Sequence, residues 1–245
     1  MTTSAASDVV PTPCTNTDDA DLRARLRREL APGACISRGL AAVEEVYRAS
    51  AGDHMKVPWA HRKANPALVN WLNARAAGLI RCGARVAVVG CGLGADAVEL
   101  AERGYEVCAF DACAAAIEHA RALHSDHSAM FRVADLRDMP ASMRHRYDLV
   151  VEIHTLQALP PEHRVTLASG IEPLLSAHGR LLVIARGRDA SEALEDVEGP
   201  PYPFTPEELT ALLGDRGLVP EGALDDYEDD QDPPVRRLRG VFVRP

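Results

Sequence analysis

The run Val86-Ala87-Val88-Val89-Gly90-Cys91-Gly92-Leu93-Gly94-Ala95 places three glycines at alternate positions directly after a β-branched stretch. A strand that must turn sharply into a helix, with its backbone close to a ligand, needs residues that lack a Cβ. Asp111 follows Gly90 by 21 residues and ends the next apolar run. A carboxylate at that point can accept both hydroxyl protons of a ribose. Asp135 comes 24 residues later, in Ala134-Asp135-Leu136. It can accept from an adenine amino group, with Leu136 offering a backbone amide. His154 follows Val150-Val151-Glu152-Ile153, at the carboxyl end of a fourth apolar run. Open α/β sheets carry their sites at that edge, and an imidazole can take a proton near neutrality. His154 is therefore the candidate general base, or the group that orients a nucleophile. The Glu152 side chain reads either as a buried, paired carboxylate or as a mere neighbour of a useful carbonyl. Arg186 and Arg188, past the fifth strand, could clamp an anionic group on a substrate.

Gly90, Gly92 and Ala95 also satisfy the loose G-x-G-x-x-G/A pattern of a nicotinamide dinucleotide site, so an NAD(P)-dependent oxidoreductase competes at this point. A cofactor-binding module without catalysis is a third reading. Such a dinucleotide enzyme needs a second mononucleotide-binding half. The chain beyond the fourth strand offers only one more strand–helix unit and a closing hairpin.

These residues need an alternating scaffold, and the hydropathy pattern supplies one. Helices are expected over 18–30, 38–51, 66–80, 95–103, 112–124 and 205–215, with another after Pro160-Pro161. Strands are expected over 85–89, 105–110, 129–134, 147–153 and 180–185, with Gly179 marking the turn into the last of these. Two closing strands, 218–224 and 235–243, have no helix between them and read as an antiparallel edge hairpin. Thr205-Pro206 with Glu208 spells a capping box, and Gly217 a terminator. Strands alternating with helices imply a parallel sheet covered on both faces. The expected organisation is a disordered leader over 1–19, a helical cap or lid over 20–80 and the α/β domain over 81–245.

Of the 245 residues, 47% are hydrophobic and 26% charged, the mix of a soluble globular protein. The net charge of −9 disfavours binding to nucleic acid, which demands a basic surplus. Six acids within 225–232 account for two-thirds of that charge and read as a solvated turn. No apolar run reaches membrane-spanning length. The six cysteines lack paired C-x-x-C spacing; Cys82, Cys91 and Cys108 read as small buried thiols in a reducing, cytoplasmic compartment, with no metal site.

The motifs VAVVGCGLGADAVELAERG, YEVCAFD, FRVADL, YDLVVEIHTLQALP and RLRGVFVRP resemble the class I S-adenosylmethionine-dependent methyltransferases over roughly residues 55–245. The segment VPWAHRKANPALVNWL is similar to the small-molecule thiopurine/thiol methyltransferase-like group. The resemblance implies a Rossmann-like, doubly wound, seven-stranded sheet with its last strand antiparallel. It implies methyl transfer from S-adenosylmethionine to a sulfur, oxygen or nitrogen atom of a small molecule. It places Gly90, Cys91, Gly92 and Gly94 along the methionine and ribose, Asp111 and Ala112 at the ribose, and Asp135 and Leu136 at the adenine. Glu152, Ile153 and His154 would sit beside the sulfonium, with Trp59 over the methionine end. Tyr47, His61, Arg62 and Arg186, with His54 nearby, are the candidate acceptor residues.

Overall fold

The computed structural model describes residues 17–60, 62–194, 197 and 199–245. Two helices, α1 (Thr17–Glu29) and α2 (Ile36–Ser50), precede α3 (Pro66–Trp71). Asn65 caps α3, its Oδ1 accepting from Ala67 N at 2.9 Å, and Pro66 occupies a first-turn position that needs no N–H. The helix expected over 66–80 is not uniform: a π-turn, Leu72–Ala76, separates α3 from a last turn, α4 (Ala77–Leu79).

The alternating segment follows: β1 (Arg85–Val89), α5 (Ala95–Glu102), β2 (Glu106–Asp111), α6 (Ala114–Leu123), β3 (Phe131–Val133), β4 (Tyr147–Ile153), α7 (Arg164–Ile171), β5 (Leu175–Arg186) and α8 (Pro206–Gly214). The capping box at Thr205 and Glu208 forms. Three short strands close the chain, β6 (Val219–Pro220), β7 (Asp225–Glu228) and β8 (Arg236–Val243).

One sheet runs in the order β3-β2-β1-β4-β5-β8-β6, with β7 also on β8. The first five strands are parallel, and β8 is antiparallel to β5, β6 and β7. This is the Rossmann-like, doubly wound α/β sheet with an antiparallel penultimate position. Among the described residues no second mononucleotide-binding half follows β5. The sheet's two faces bury separate apolar clusters. Leu26 of α1, Leu30 just beyond it, and Val46 and Tyr47 of α2 join Val89, Val150 and Val183 on one face. Leu68 and Trp71 of α3 join Val86, Val88 and Leu149 on the other. The helices of the amino-terminal segment thus divide between the two faces.

The edge differs from the expected seven strands in an instructive way. The sixth position is split into β6 and β7. Residues 221–224 oppose only Gly240 and Val241, so two extra residues bulge out between the pieces. The acidic run is not a solvated turn over its first half: Asp225–Glu228 pair with Arg236–Arg239 as strand. Gly179 marks no turn either. It lies inside β5, whose register against β4 shifts between Leu175 and Arg180. A Cβ there would come within 2.5 Å of the Tyr147 carbonyl oxygen. Cys82 is exposed, unlike the buried thiol expected, because it lies outside β1 in the turn that precedes it.

α7 meets the turn after β3 closely. A Cβ on Gly170 would stand 2.0 Å from the Leu136 carbonyl oxygen. Gly78, exposed in α4, has open space at the same position. We predict opposite signs for the two alanine substitutions. Gly170→Ala forces backbone apart and destabilises by about 1–3 kcal/mol or more. Gly78→Ala stabilises by about 0.4–1 kcal/mol, because the unfolded chain loses freedom. Thermal unfolding followed by circular dichroism reads both; a Gly170→Ala midpoint at or above the parent's would refute the close approach.

Candidate functional site

The glycine turn joins β1 to α5 in conformations that a side chain resists. Gly90, Gly92 and Gly94 have φ of 58°, 51° and 87°. Space is as restrictive as torsion. A Cβ at Gly90 would fall 2.2 Å from Thr155 Oγ1, and one at Gly94 2.4 Å from the Phe131 ring. His124 stacks on that ring at 6.1 Å, and its Nε2 lies 3.1 Å from the Leu93 carbonyl, bracing the turn from below.

Asp111, at the end of β2, grips the turn. Its Oδ2 accepts from Gly92 N at 3.0 Å and its Oδ1 from Cys113 N at 2.9 Å. Burial pushes this carboxyl up, and the two amides pull it back. Each oxygen keeps a lone pair for a further donor. The neighbouring Cys91 thiol is pushed well up by burial and by Asp111, so it stays protonated at neutral pH and is no nucleophile.

Tyr47 and Trp59 roof the turn. A Cβ on Gly92 would meet the Tyr47 hydroxyl at 3.1 Å. That hydroxyl accepts from Trp59 Nε1 at 2.8 Å, and the two rings stand edge to face at 5.8 Å. Tyr47, expected among the acceptor residues, thus lines the cleft from above the glycine turn. Glu44, one turn earlier on α2, fastens this roof: its carboxylate accepts from Ala115 N, at 3.2 Å to Oε2, at the start of α6. Asp96 accepts from Asn65 N at 2.6 Å, tying the entry of α3 to the first turn of α5.

A cleft of about 1230 Å³ opens over these residues. It is lined by Trp59, Gly90, Cys91, Gly92, Gly94, Asp111, Ala112, Asp135, Leu136, Ile153, His154 and Arg186, which the sequence reading had grouped. Several of its expectations change here. Glu152 is fully buried and is not part of the lining. Arg62 is exposed outside the cleft, and His54 lies off it in a 3-10 turn. His61 falls outside the described residues. Arg188 is committed to structure: it pairs with Glu208 and donates to the Glu192 carbonyl at 2.6 Å. Asp135 lines the cleft with its carboxylate engaged by the Arg137 guanidinium, at 2.6 Å from Nη2. Burial alone would raise its pKa, but Arg137 holds it below the usual range.

His154 caps β4 in the left-handed region, φ 62°. Its Nδ1 lies 3.1 Å from Gln157 Oε1, and Arg237 Nη1 approaches its Nε2 at 3.5 Å. Arg237 in turn donates from Nε to Asp229 Oδ2 at 2.6 Å. Sequence reasoning missed Gln157, Tyr227, Asp229 and Arg237; Tyr227 on β7, Asp229 just after it and Arg237 on β8 reach the cleft because the acidic run pairs as a strand, which its composition hid.

Glu152 sits directly beneath this turn. Its Oε1 accepts from Leu156 N at 2.9 Å, and its Oε2 has no partner among the described residues. Burial pushes its pKa up to about 7 from about 4.5. A raised acid stabilises the fold below its unfolded value and loses that contribution as pH climbs through the folded one. Glu152→Gln, which never ionises, should match the parent near pH 4.5 and exceed it by about 3 kcal/mol above pH 8. Urea midpoints across that range check this; a constant gap would refute the buried ionisation.

The profile of the thiopurine S-methyltransferase family matches residues 53–241. No curated protein sequence matches the chain. Among solved structures, the Burkholderia thailandensis 1,6-didemethyltoxoflavin-N1-methyltransferase, bound to 1,6-didemethyltoxoflavin and S-adenosylhomocysteine, is similar at 21% identity and a TM-score of 0.68, over 87% of this chain and 92% of that one. The magnesium protoporphyrin IX methyltransferase of Synechocystis PCC 6803, bound to S-adenosylmethionine, is similar at 20% identity and a TM-score of 0.55, over 96% and 100%. A structure described for conversion of a disulfide bond into a thioacetal group during echinomycin biosynthesis is similar at 22% identity and a TM-score of 0.67, over 84% and 92%. At such identities the likeness is one of fold. The family match covers most of the sheet and the glycine turn with its aspartate, and with it the chain belongs to the thiopurine S-methyltransferase family of class I S-adenosylmethionine-dependent methyltransferases.

Proposed function

We propose that the cleft divides into a cofactor half over the glycine turn and an acceptor half at the ends of β4, β5 and β7, where a small molecule receives the methyl group. The observation that carries this division is the Asp111 carboxylate, which holds the Gly92 amide while facing the cleft. The residues present fit the cofactor. Three left-handed glycines bring bare backbone to the cleft, and Asp111 keeps acceptor capacity for two hydroxyl donors. In this reading Gly90, Cys91, Gly92, Gly94 and Ala112 line the methionine and ribose, while Ala134, Asp135 and Leu136 flank the adenine. Leu136 is apolar and buried beside that position. Asp135, taken by Arg137, shapes the pocket more than it donates charge. Trp59, half-buried above the turn, closes the methionine end.

S-adenosylmethionine supplies a methyl group activated by a sulfonium. The protein's task is to align the acceptor with that carbon and to keep water out. The cleft exceeds the ~300–1,000 Å³ typical of a single ligand pocket, which leaves room for an acceptor beside the cofactor. Two structural neighbours are named for small acceptors, a didemethyltoxoflavin and a magnesium porphyrin, and this supports a small-molecule acceptor here. Arg186 and Arg237 stand at the acceptor end. A neutral O–H or N–H acceptor must lose its proton when the methyl group leaves the sulfonium sulfur for it, and His154 Nε2 or water would take that proton; a thiolate or carboxylate needs no base. A cytoplasmic site of action fits the free thiols of Cys35 and Cys82, both exposed. No described helix is long and apolar enough to cross a membrane. The net charge of −9 speaks against a nucleic-acid substrate.

Two substitutions separate the halves. Asp111→Ala should weaken S-adenosylhomocysteine binding by about 1–3 kcal/mol in titration calorimetry, as hydroxyl donors lose a charged acceptor. Unchanged affinity would remove Asp111 from the cofactor half. His154→Ala should leave that affinity near the parent value and lower turnover at least ~10-fold with a hydroxyl or amine acceptor. Full turnover would remove His154 from the mechanism.

A further inference from the structure

Gln157 is fully buried, three residues after His154 in the same turn. The orientation of its amide is fixed by its partners. Nε2 donates to the carbonyl oxygens of Arg186, at 2.8 Å, and Tyr202, at 2.9 Å. Two carbonyls can only accept, so the nitrogen end must face them. Oε1 accepts from Arg186 N–H, at 2.7 Å, which can only donate. The same Oε1 lies 3.1 Å from His154 Nδ1. An oxygen without hydrogen can only accept there, so Nδ1 must carry the hydrogen.

We propose that Gln157 is a positioning residue that locks neutral His154 as its Nδ1–H tautomer, leaving the Nε2 lone pair beside Arg237 at the acceptor end of the cleft. Free histidine favours the opposite tautomer, so the protein must impose this one. Arg237 gives a second, independent indication. Its guanidinium holds only donors, and Nη1 stands 3.5 Å from Nε2. A hydrogen on Nε2 would face an N–H group, whereas a lone pair meets it favourably. Arg237 is itself oriented by Asp229, at 2.6 Å from Nε. The main chain secures the amide further, because Gln157 N donates to His154 O at 3.1 Å and Gln157 O accepts from Tyr202 N at 2.9 Å. A glutamate could not replace Gln157, since its second oxygen would face two carbonyl oxygens. The tautomer assignment stands on these contacts alone; its consequence for turnover rests on the role of His154 proposed above.

The test is a long-range 1H–15N correlation spectrum of the full-length protein at pH 8, with the His154 ring signals identified by their loss in His154→Asn. The expected pattern is a protonated Nδ1 and an unprotonated Nε2. A protonated Nε2 in the parent protein overturns the inference, and this readout needs no variant of Gln157 to fold. Gln157→Leu should shift the ring toward the Nε2–H tautomer and lower turnover at least tenfold, with S-adenosylhomocysteine affinity within twofold of the parent. Parental turnover in Gln157→Leu overturns the positioning role. Parental turnover in His154→Ala instead removes His154 from the mechanism while leaving the tautomer assignment intact.

Discussion

The Asp111 carboxylate fixes two chain reversals at once, and the rest of the cleft is built around that constraint. Gly92 N belongs to the turn after β1, and Cys113 N to the turn after β2. β1 and β2 are parallel neighbours in register, Val89 against Phe110, so a single side chain at the strand end reaches both amides. Leaving either amide unpaired in a partly buried site costs about 1–3 kcal/mol, which explains why a carboxylate persists there although burial raises its pKa. The roof inherits this constraint. Glu44 ties α2 to the first turn of α6, the helix that begins beside Asp111, and so Tyr47 arrives above Gly92.

The far edge of the sheet solves a different problem with charge. β7 is an exposed edge strand, and its acids pair across to arginines on β8. Asp226 meets Arg236 at 2.6 Å, and Asp225 meets Arg239 at 2.8 Å. Partly exposed pairs of this kind contribute only about 0–1 kcal/mol each. Their value is geometric: they set the register of a short strand that the bulge at 221–224 would otherwise leave free, and charged side chains discourage pairing with other chains. The same register delivers Arg237 and Asp229 to the acceptor end of the cleft.

Much of this was legible in the sequence because it is local. The strand–turn–helix at Gly90, the acid ending β2 and the capping box at Thr205 are each written within a few residues, and period and turn chemistry expose them. What escaped depends on partners distant in the chain. Asp225–Glu228 read as a solvated turn because the arginines that make them a strand come 8 to 14 residues later. The Asp135–Arg137 pair escaped because nothing in the spacing reveals that Arg137 folds back onto its neighbour. Gly179 read as a turn because a bulge inside a strand and a reversal both call for glycine, and only the Tyr147 carbonyl decides between them. Gln157 carried no signal: a lone glutamine in an apolar stretch acquires its meaning from Arg186 and Tyr202, 29 and 45 residues away.

The turn after β4 joins these two halves, and its geometry is costly. His154 adopts a left-handed conformation, which disfavours a residue with a Cβ by about 1–2 kcal/mol. Such strain persists only where the surroundings over-determine it. Here two buried polar side chains do so from either end. Glu152 takes the Leu156 amide from below, and Gln157 ties the turn to β5 and to Tyr202. They differ in one respect that suits their places. The Gln157 amide is satisfied by four described contacts and does not titrate, so it can hold the imbalance of an imposed tautomer wherever the ring is neutral. Glu152 lacks a partner for Oε2 among the described residues, and its proton stands in for one up to about pH 7. The position of the imidazole is therefore a property of the strand ends on which it is built, not of a loop free to move.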